Sequence, residues 1–184
     1  QLQRDGVSGV PNRATFMAHL ERTLGASSQA SVTVRRGCLI LVRIPVLNAI
    51  NRRVGRNLAD KLLVTLGEIL QGFANRAEGG LVGRLNGADF ALYLPVNGIG
   101  ARTARELEGQ LKPLFQQTDP EGYYYMGALE GLATGAVGQT LGRVDAALAH
   151  AEAQGPFAVE VRAGAEGEEI GEGEWRHRSE EHTS

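Results

Sequence analysis

Apolar positions along the chain follow two rhythms, and their alternation predicts the order of elements. Phe16, Leu20 and Leu24 recur every four residues, with Pro11 ahead of them and Gly25 behind, which is the pattern of a helix with proline at its start and glycine at its end. Residues 26–36 are polar and read as a loop. Cys38–Ile44 is a continuous apolar run broken only by Arg43, as in a buried central strand. Pro45 ends it, because proline has no N–H for a sheet ladder. Leu47–Val54 predicts a short helix, and Leu58–Phe73 a longer one with a wide apolar stripe of Leu62, Leu63, Leu66, Ile69 and Leu70. Gly80–Leu85 and Asp89–Leu94 are strand-like and flank Asn86-Gly87, a signal for a tight two-residue hairpin. Helices over Ala101–Phe115 and Leu141–Ala153 and strands over Tyr123–Leu132 and Phe157–Val161 complete the order α-β-α-α-β-β-α-β-α-β. One hairpin, with helices between the other strands, describes a single α+β sandwich.

Composition changes this picture little. A chain of 184 residues, 42% hydrophobic and 22% charged, suits one soluble domain able to enclose a core without disulfides or a structural metal. The single cysteine, Cys38, excludes an internal disulfide and a CxxC zinc site, and its apolar neighbours read as the surroundings of a buried, inert thiol. No stretch approaches the roughly 18 apolar residues of a membrane helix, and no N-terminal signal pattern is present. The net charge of −2 is unevenly placed: residues 160–184 hold eight of the 21 acids, leaving the body at a mild +3. That is too weak and dispersed for a duplex-binding face, so no nucleic-acid partner is expected. Past Val161 the sequence becomes rich in Gly and Glu, a linker composition, before Trp175-Arg176. The expected division is a domain over 1–162 and a linker over 163–184 leading to a further domain.

Three segments, in order, resemble the GGDEF (diguanylate cyclase) family. Asp5-Gly6-Val7-Ser8-Gly9-Val10-Pro11-Asn12-Arg13 is similar to the family's opening D-x-L-T-G-L-P-N-R. Leu41 through Gly55 resembles its strand–loop–helix D-x-D-x-F-K-x-x-N-D-x-x-G, and Ala59-Asp60 a later G-D. Arg84-Leu85-Asn86-Gly87-Ala88-Asp89-Phe90-Ala91-Leu92 occupies the R-x-G-G-D/E-E-F-A-L hairpin that names the family. The resemblance spans roughly residues 5–161. It implies the nucleotidyl-cyclase-like α+β fold, a central and mainly antiparallel five-stranded sheet flanked by helices.

It also implies where chemistry would reside. Such enzymes condense two GTP molecules, one per subunit of a dimer, into cyclic di-GMP, and need a divalent metal to neutralise phosphate charge. The family's metal ligands fall here on Arg43 and Ala88. A guanidinium only donates hydrogen bonds, and alanine has no ligand atom, so no metal and no cofactor are expected. The second Asp of the family's strand end is Pro45, its phosphate-facing Lys is Asn48, and the second signature acid is Asp89, one methylene shorter than Glu. Asp145 through Glu152 resembles D-x-A-L-Y-x-A-K with the phosphate-binding Lys reversed to Glu152. The signature Asn86, Gly87, Ala88, Asp89, Phe90 is therefore degenerate, and no catalytic residue is expected in it.

Some positions keep the family pattern. Asn51 and Asp60 fall where the family contacts the guanine edge, and Gly87 where the hairpin backbone approaches the nucleotide; the alternative is that Asn51 ends a short helix and Asp60 caps or solvates the next. The product-inhibition motif R-x-x-D has Ala77 and Gly80 at its key positions, so feedback binding of cyclic di-GMP is not expected here. Arg43 is either a solvated strand-end residue or the partner of Asp89 across the hairpin. His19 and His150 read as ordinary residues on helix surfaces.

The whole pattern resembles the GGDEF module of LapD-type GGDEF–EAL receptors, inner-membrane proteins in which neither cytoplasmic module turns over. That resemblance implies a non-catalytic transducer in a bacterial cytoplasm, partnered by an attached EAL domain and an upstream signalling helix. A homodimer is also open, and cyclic di-GMP would be sensed by the EAL domain rather than here. The alternatives are a GTP-binding domain that allosterically controls an attached EAL phosphodiesterase, and an active cyclase.

Overall fold

The computed structural model describes residues 3–25, 37–133 and 137–165. Its elements are α1 (Arg13–Gly25), β1 (Cys38–Arg43), α2 (Leu47–Val54), α3 (Arg56–Ala74), β2 (Leu81–Arg84), β3 (Asp89–Leu94), α4 (Gly100–Thr118), β4 (Tyr125–Glu130), α5 (Val137–Gln154) and β5 (Val159–Ala163). The order is the one the apolar rhythms predict, with ends displaced by a few residues. The predicted domain limit at 162 falls inside β5, and all but the first three residues of the 163–184 segment lie outside the described residues.

The five strands form one sheet in the order β2-β3-β1-β4-β5. All pairings are antiparallel except β4 with β5. β1 is central, which explains its apolar run: both of its faces are covered. On one face Ile40 and Val42 meet Leu62, Leu66 and Leu70 of α3 and Leu107 and Leu111 of α4. On the other, Leu39 and Leu41 meet Phe16, Leu20 and Leu24 of α1 and Val144 and Leu148 of α5. Each such side chain is almost fully buried, which contributes about 1.5–3 kcal/mol apiece before entropy is charged against it.

Two glycines shape the region around the site. A Cβ at Gly83 would lie 2.5 Å from the Cβ of Phe16, so α1 reaches β2 only because that position carries no side chain. Gly55, with φ +88°, closes α2 and opens α3, a left-handed backbone that a side chain would strain.

Candidate functional site

Alternation along the strands dictates what faces α5. Leu39 and Leu41 belong to the α1–α5 face, and two residues on from Leu41 the same face carries Arg43. The register sets Arg43 directly opposite Asp89 of β3 and, on the other side, opposite Tyr125 of β4. Directly opposed residues on one face lie within side-chain reach, and here they bond. Arg43 donates from Nε to Asp89 Oδ1 and from Nη2 to Asp89 Oδ2, both at 2.9 Å, a two-pronged guanidinium–carboxylate pair. Of the two sequence alternatives for Arg43, the geometry is that of pairing across the hairpin.

The same guanidinium reaches α5. Its Nη2 lies 3.4 Å from Asp145 Oδ1, and its Nη1 lies 3.4 Å from Glu152 Oε1. Asp89 is buried, with 4% of its surface exposed, whereas Asp145 and Glu152 are open to solvent. The hydrogen bonds it donates to Asp89, outweighing burial and joined by Glu152 and Asp145, push the Arg43 guanidinium above its already high ordinary value, so its charge is permanent. Beside it, burial, the bond to Tyr123 and the charge of Glu152 push the Tyr125 phenol above its usual range.

The hairpin is built differently from the two-residue turn predicted. Leu85 N–H donates to Asp89 O, which leaves Asn86, Gly87 and Ala88 as a three-residue connection. Asn86 Oδ1 accepts from the N–H groups of Ala88 at 2.9 Å and Asp89 at 3.0 Å, and Asn86 Nδ2 donates to Asp89 Oδ2. This side-chain turn stands in for the left-handed backbone of a tight hairpin, and Gly87 has no positive φ. Phe90 is fully buried beneath it, and the space beside Gly87 is open.

The N-terminal segment braces this hairpin. Asp5 Oδ2 accepts from Ser8 N–H at 2.8 Å, from Ser8 Oγ at 2.6 Å and from Arg84 Nη1 at 2.9 Å. Arg84 also donates from Nη2 to Gly87 O at 2.7 Å and stands over the Phe90 ring. Burial would raise the Asp5 carboxyl, but the Ser8 bonds and the Arg84 guanidinium together hold it below its usual range.

Of the expected guanine-contact residues, Asn51 lies on α2, Asp60 on α3 and Gly87 in the signature hairpin. Asn51 lies within α2, and its Oδ1 is buried without a hydrogen-bond partner among the described residues. Asp60 lies in the second turn of α3, whose N-terminus has no side-chain cap, so the capping alternative for Asp60 is corrected: Gly55 occupies that position. Ala77 and Gly80 form the turn from α3 into β2, where a Cβ at Gly80 would meet Ala74 O at 2.1 Å. His19 lines a groove of about 390 Å³ between α1, α3 and the outer edge of β2, together with Gly80. His150, expected as an ordinary surface residue, is half-exposed but bonded through Nδ1 to the nearly buried Glu160 of β5.

Other anchors had no local sequence signal. Glu130 accepts from the N–H groups of Gly98 and Gly100, capping α4 from thirty residues away. Asp119, 2% exposed, takes the Arg53 guanidinium, which fixes α2 to the loop before β4.

The residues at the Arg43 end of the sheet do not fit a divalent metal. Arg43 and Ala88 offer no ligand atom, and both oxygens of Asp89 accept from Arg43. Among the described residues no group of three or more His, Cys, Asp or Glu side chains is arranged to hold an ion. Nor, among the described residues, is any helix long and apolar enough to cross a membrane.

Comparison with known proteins places this geometry in context. None of the curated proteins compared matches the chain. Among solved structures, the GGDEF domain of DgcB from Caulobacter crescentus in complex with c-di-GMP is similar at 20% identity and TM-score 0.65, over 86% of this chain and 92% of that one. Diguanylate cyclase SiaD from Pseudomonas aeruginosa, in complex with its activator SiaC, is similar at 22% identity and TM-score 0.65, over 86% and 61%. The S helix-GGDEF-EAL structure of Vibrio cholerae LapD bound to c-di-GMP is similar at 16% identity and TM-score 0.63, over 86% of this chain and 36% of that one. At these identities the likeness is one of fold. The family model described as diguanylate cyclase, GGDEF domain, matches residues 2–156, and the chain belongs to that family.

Proposed function

We propose that this GGDEF domain is catalytically inactive and serves as a signal-transducing, interaction module in a bacterial cyclic di-GMP receptor of GGDEF–EAL, LapD-like type acting in biofilm or adhesion control. The observation that carries the reading is the Arg43 guanidinium bonded to both oxygens of Asp89 at the end of the signature hairpin. Phosphoryl transfer depends on positioning and on neutralising phosphate charge. Here a permanent cation takes the position of a metal carboxylate, and Glu152 adds negative charge where the family resemblance puts a lysine. In this reading the domain ends near residue 162 and residues 163–184 link it to an EAL domain. An upstream signalling helix, a second copy of the domain and the cytoplasmic face of an inner membrane complete its setting in this reading. The similarity to an S helix-GGDEF-EAL structure supports that context. Incubation with GTP and Mg²⁺ or Mn²⁺ should yield no cyclic di-GMP; product that depends on protein and metal overturns the proposal.

One observation favours a second reading, a GTP-binding domain that controls an attached EAL phosphodiesterase allosterically. Asn51 Oδ1 is buried without a partner among the described residues, an acceptor that costs free energy until a donor such as a base amine meets it. On this reading Asn51, Asp60 and Gly87 contact guanine without metal, and Asp60→Ala weakens GTP binding at least tenfold. Absence of any GTP binding by the unaltered domain eliminates it.

A further inference from the structure

Three carboxylates converge on the end of β1, and two of them occupy places that cost free energy without a cation. Asp89 is a buried charge. Glu152 lies in the last turn of α5, at the negative end of the helix dipole, where no basic residue of that turn offsets it. Asp145 lies two turns earlier and contacts the same guanidinium as Glu152. Asp89 and the two α5 acids come from elements with no strand pairing between them, and Arg43 bonds to all three.

We infer that Arg43 is an internal lock: one guanidinium fastens the signature hairpin to α5 and holds that end of the sheet in a closed arrangement that needs no ligand. Its permanent charge is shared between a short two-pronged bond to Asp89 and longer contacts to α5. An incoming polyphosphate would have to take Arg43 from its carboxylates or stand against Asp145 and Glu152, so the lock also excludes anions. It deepens the proposed non-catalytic role and rests on it for meaning, but its test reads stability and stands apart from any nucleotide titration.

The test is the sign of one substitution in two backgrounds. In the unaltered domain, Glu152→Gln removes an attraction and should lower the melting temperature by about 1–3 °C, as expected for a half-exposed pair in a domain of this size. In an Arg43→Met background the same change removes an unpaired acid from a helix C-terminus beside other carboxylates, and should raise the melting temperature by a similar amount. If Arg43→Met does not fold, Arg43→Met with Asp89→Asn removes the buried charge together with the cation and serves as the background instead. A shift of the same sign in both backgrounds overturns the lock; a reversal of sign establishes it.

Discussion

Asp5→Ala probes how the N-terminal segment holds the hairpin. The substitution deletes three hydrogen bonds at one oxygen, two from Ser8 and one from Arg84. Arg84, 12% exposed in the unaltered domain and with its Nε already without a partner among the described residues, then keeps only the Gly87 carbonyl and the Phe90 ring. A bond to a charged group contributes about 1.5–3 kcal/mol, and losing one partner leaves the other charge uncompensated. Asp5 is itself 21% exposed, so water recovers part of this loss. The expected cost is about 2–3 kcal/mol, which corresponds to a fall in melting temperature of roughly 4–12 °C. Urea denaturation followed by far-ultraviolet circular dichroism measures the total, and amide exchange over residues 84–89 shows whether the hairpin is where it is lost. Asp5→Asn keeps an acceptor for Ser8 while removing the charge, and should cost about half as much. In a double-mutant cycle with Arg84→Met the two sites should couple by about 1 kcal/mol or more. A cost for Asp5→Ala below about 0.5 kcal/mol, or hairpin amides that exchange as before, would refute the reasoning.

Further expectations follow from other contacts. Gly83→Ala forces a Cβ to 2.5 Å from Phe16 and should destabilise by roughly 1–3 kcal/mol, with Phe16→Leu recovering part of the loss in the double variant; additive costs in denaturant titrations would argue against the clash. Burial, with the Glu130 charge adding to it, pushes the Cys38 thiol up to about 12, so iodoacetamide should leave it unmodified in the native domain and label it on unfolding; rapid native labelling by mass spectrometry contradicts this. The Arg53 hydrogen bond, outweighing burial, holds Asp119 below its ordinary 3.8, so the unfolded chain takes up the proton first as pH falls. The stability from this pair is therefore complete above about pH 5, begins to decline as pH nears the ordinary value, and is lost as pH drops through the lowered native value. Stability against pH from denaturant titrations should fall less steeply below pH 4 in Asp119→Asn, and identical slopes would sink the assignment.

What the sequence revealed, and what it withheld, follows from the range of the interactions. Element order was legible because four-residue apolar spacing and an unbroken apolar run report burial locally, as at Leu20–Leu24 and Cys38–Val42. The Arg43–Asp89 pair was visible only as one of two options, since the register that opposes them depends on the hairpin and the central strand together. The convergence of Asp145 and Glu152 on Arg43 was not visible: about a hundred residues separate them, and only the docking of α5 brings them close. The turn at Asn86 was misjudged because its side chain, rather than a left-handed backbone, satisfies the connection. Glu130 as the cap of α4 and Asp119 as the anchor of Arg53 are likewise tertiary, with nothing in their neighbours to announce them.

The most direct test of the account is a calorimetric titration of the domain with a non-hydrolysable GTP analogue, once with Mg²⁺ and once with the metal chelated. With Arg43 bonded to Asp89 and no ligand atom at Ala88, the two titrations should be indistinguishable, whether or not Asn51 and Asp60 hold a guanine. Micromolar binding that appears only with Mg²⁺ would show a working metal site at the hairpin and contradict the account.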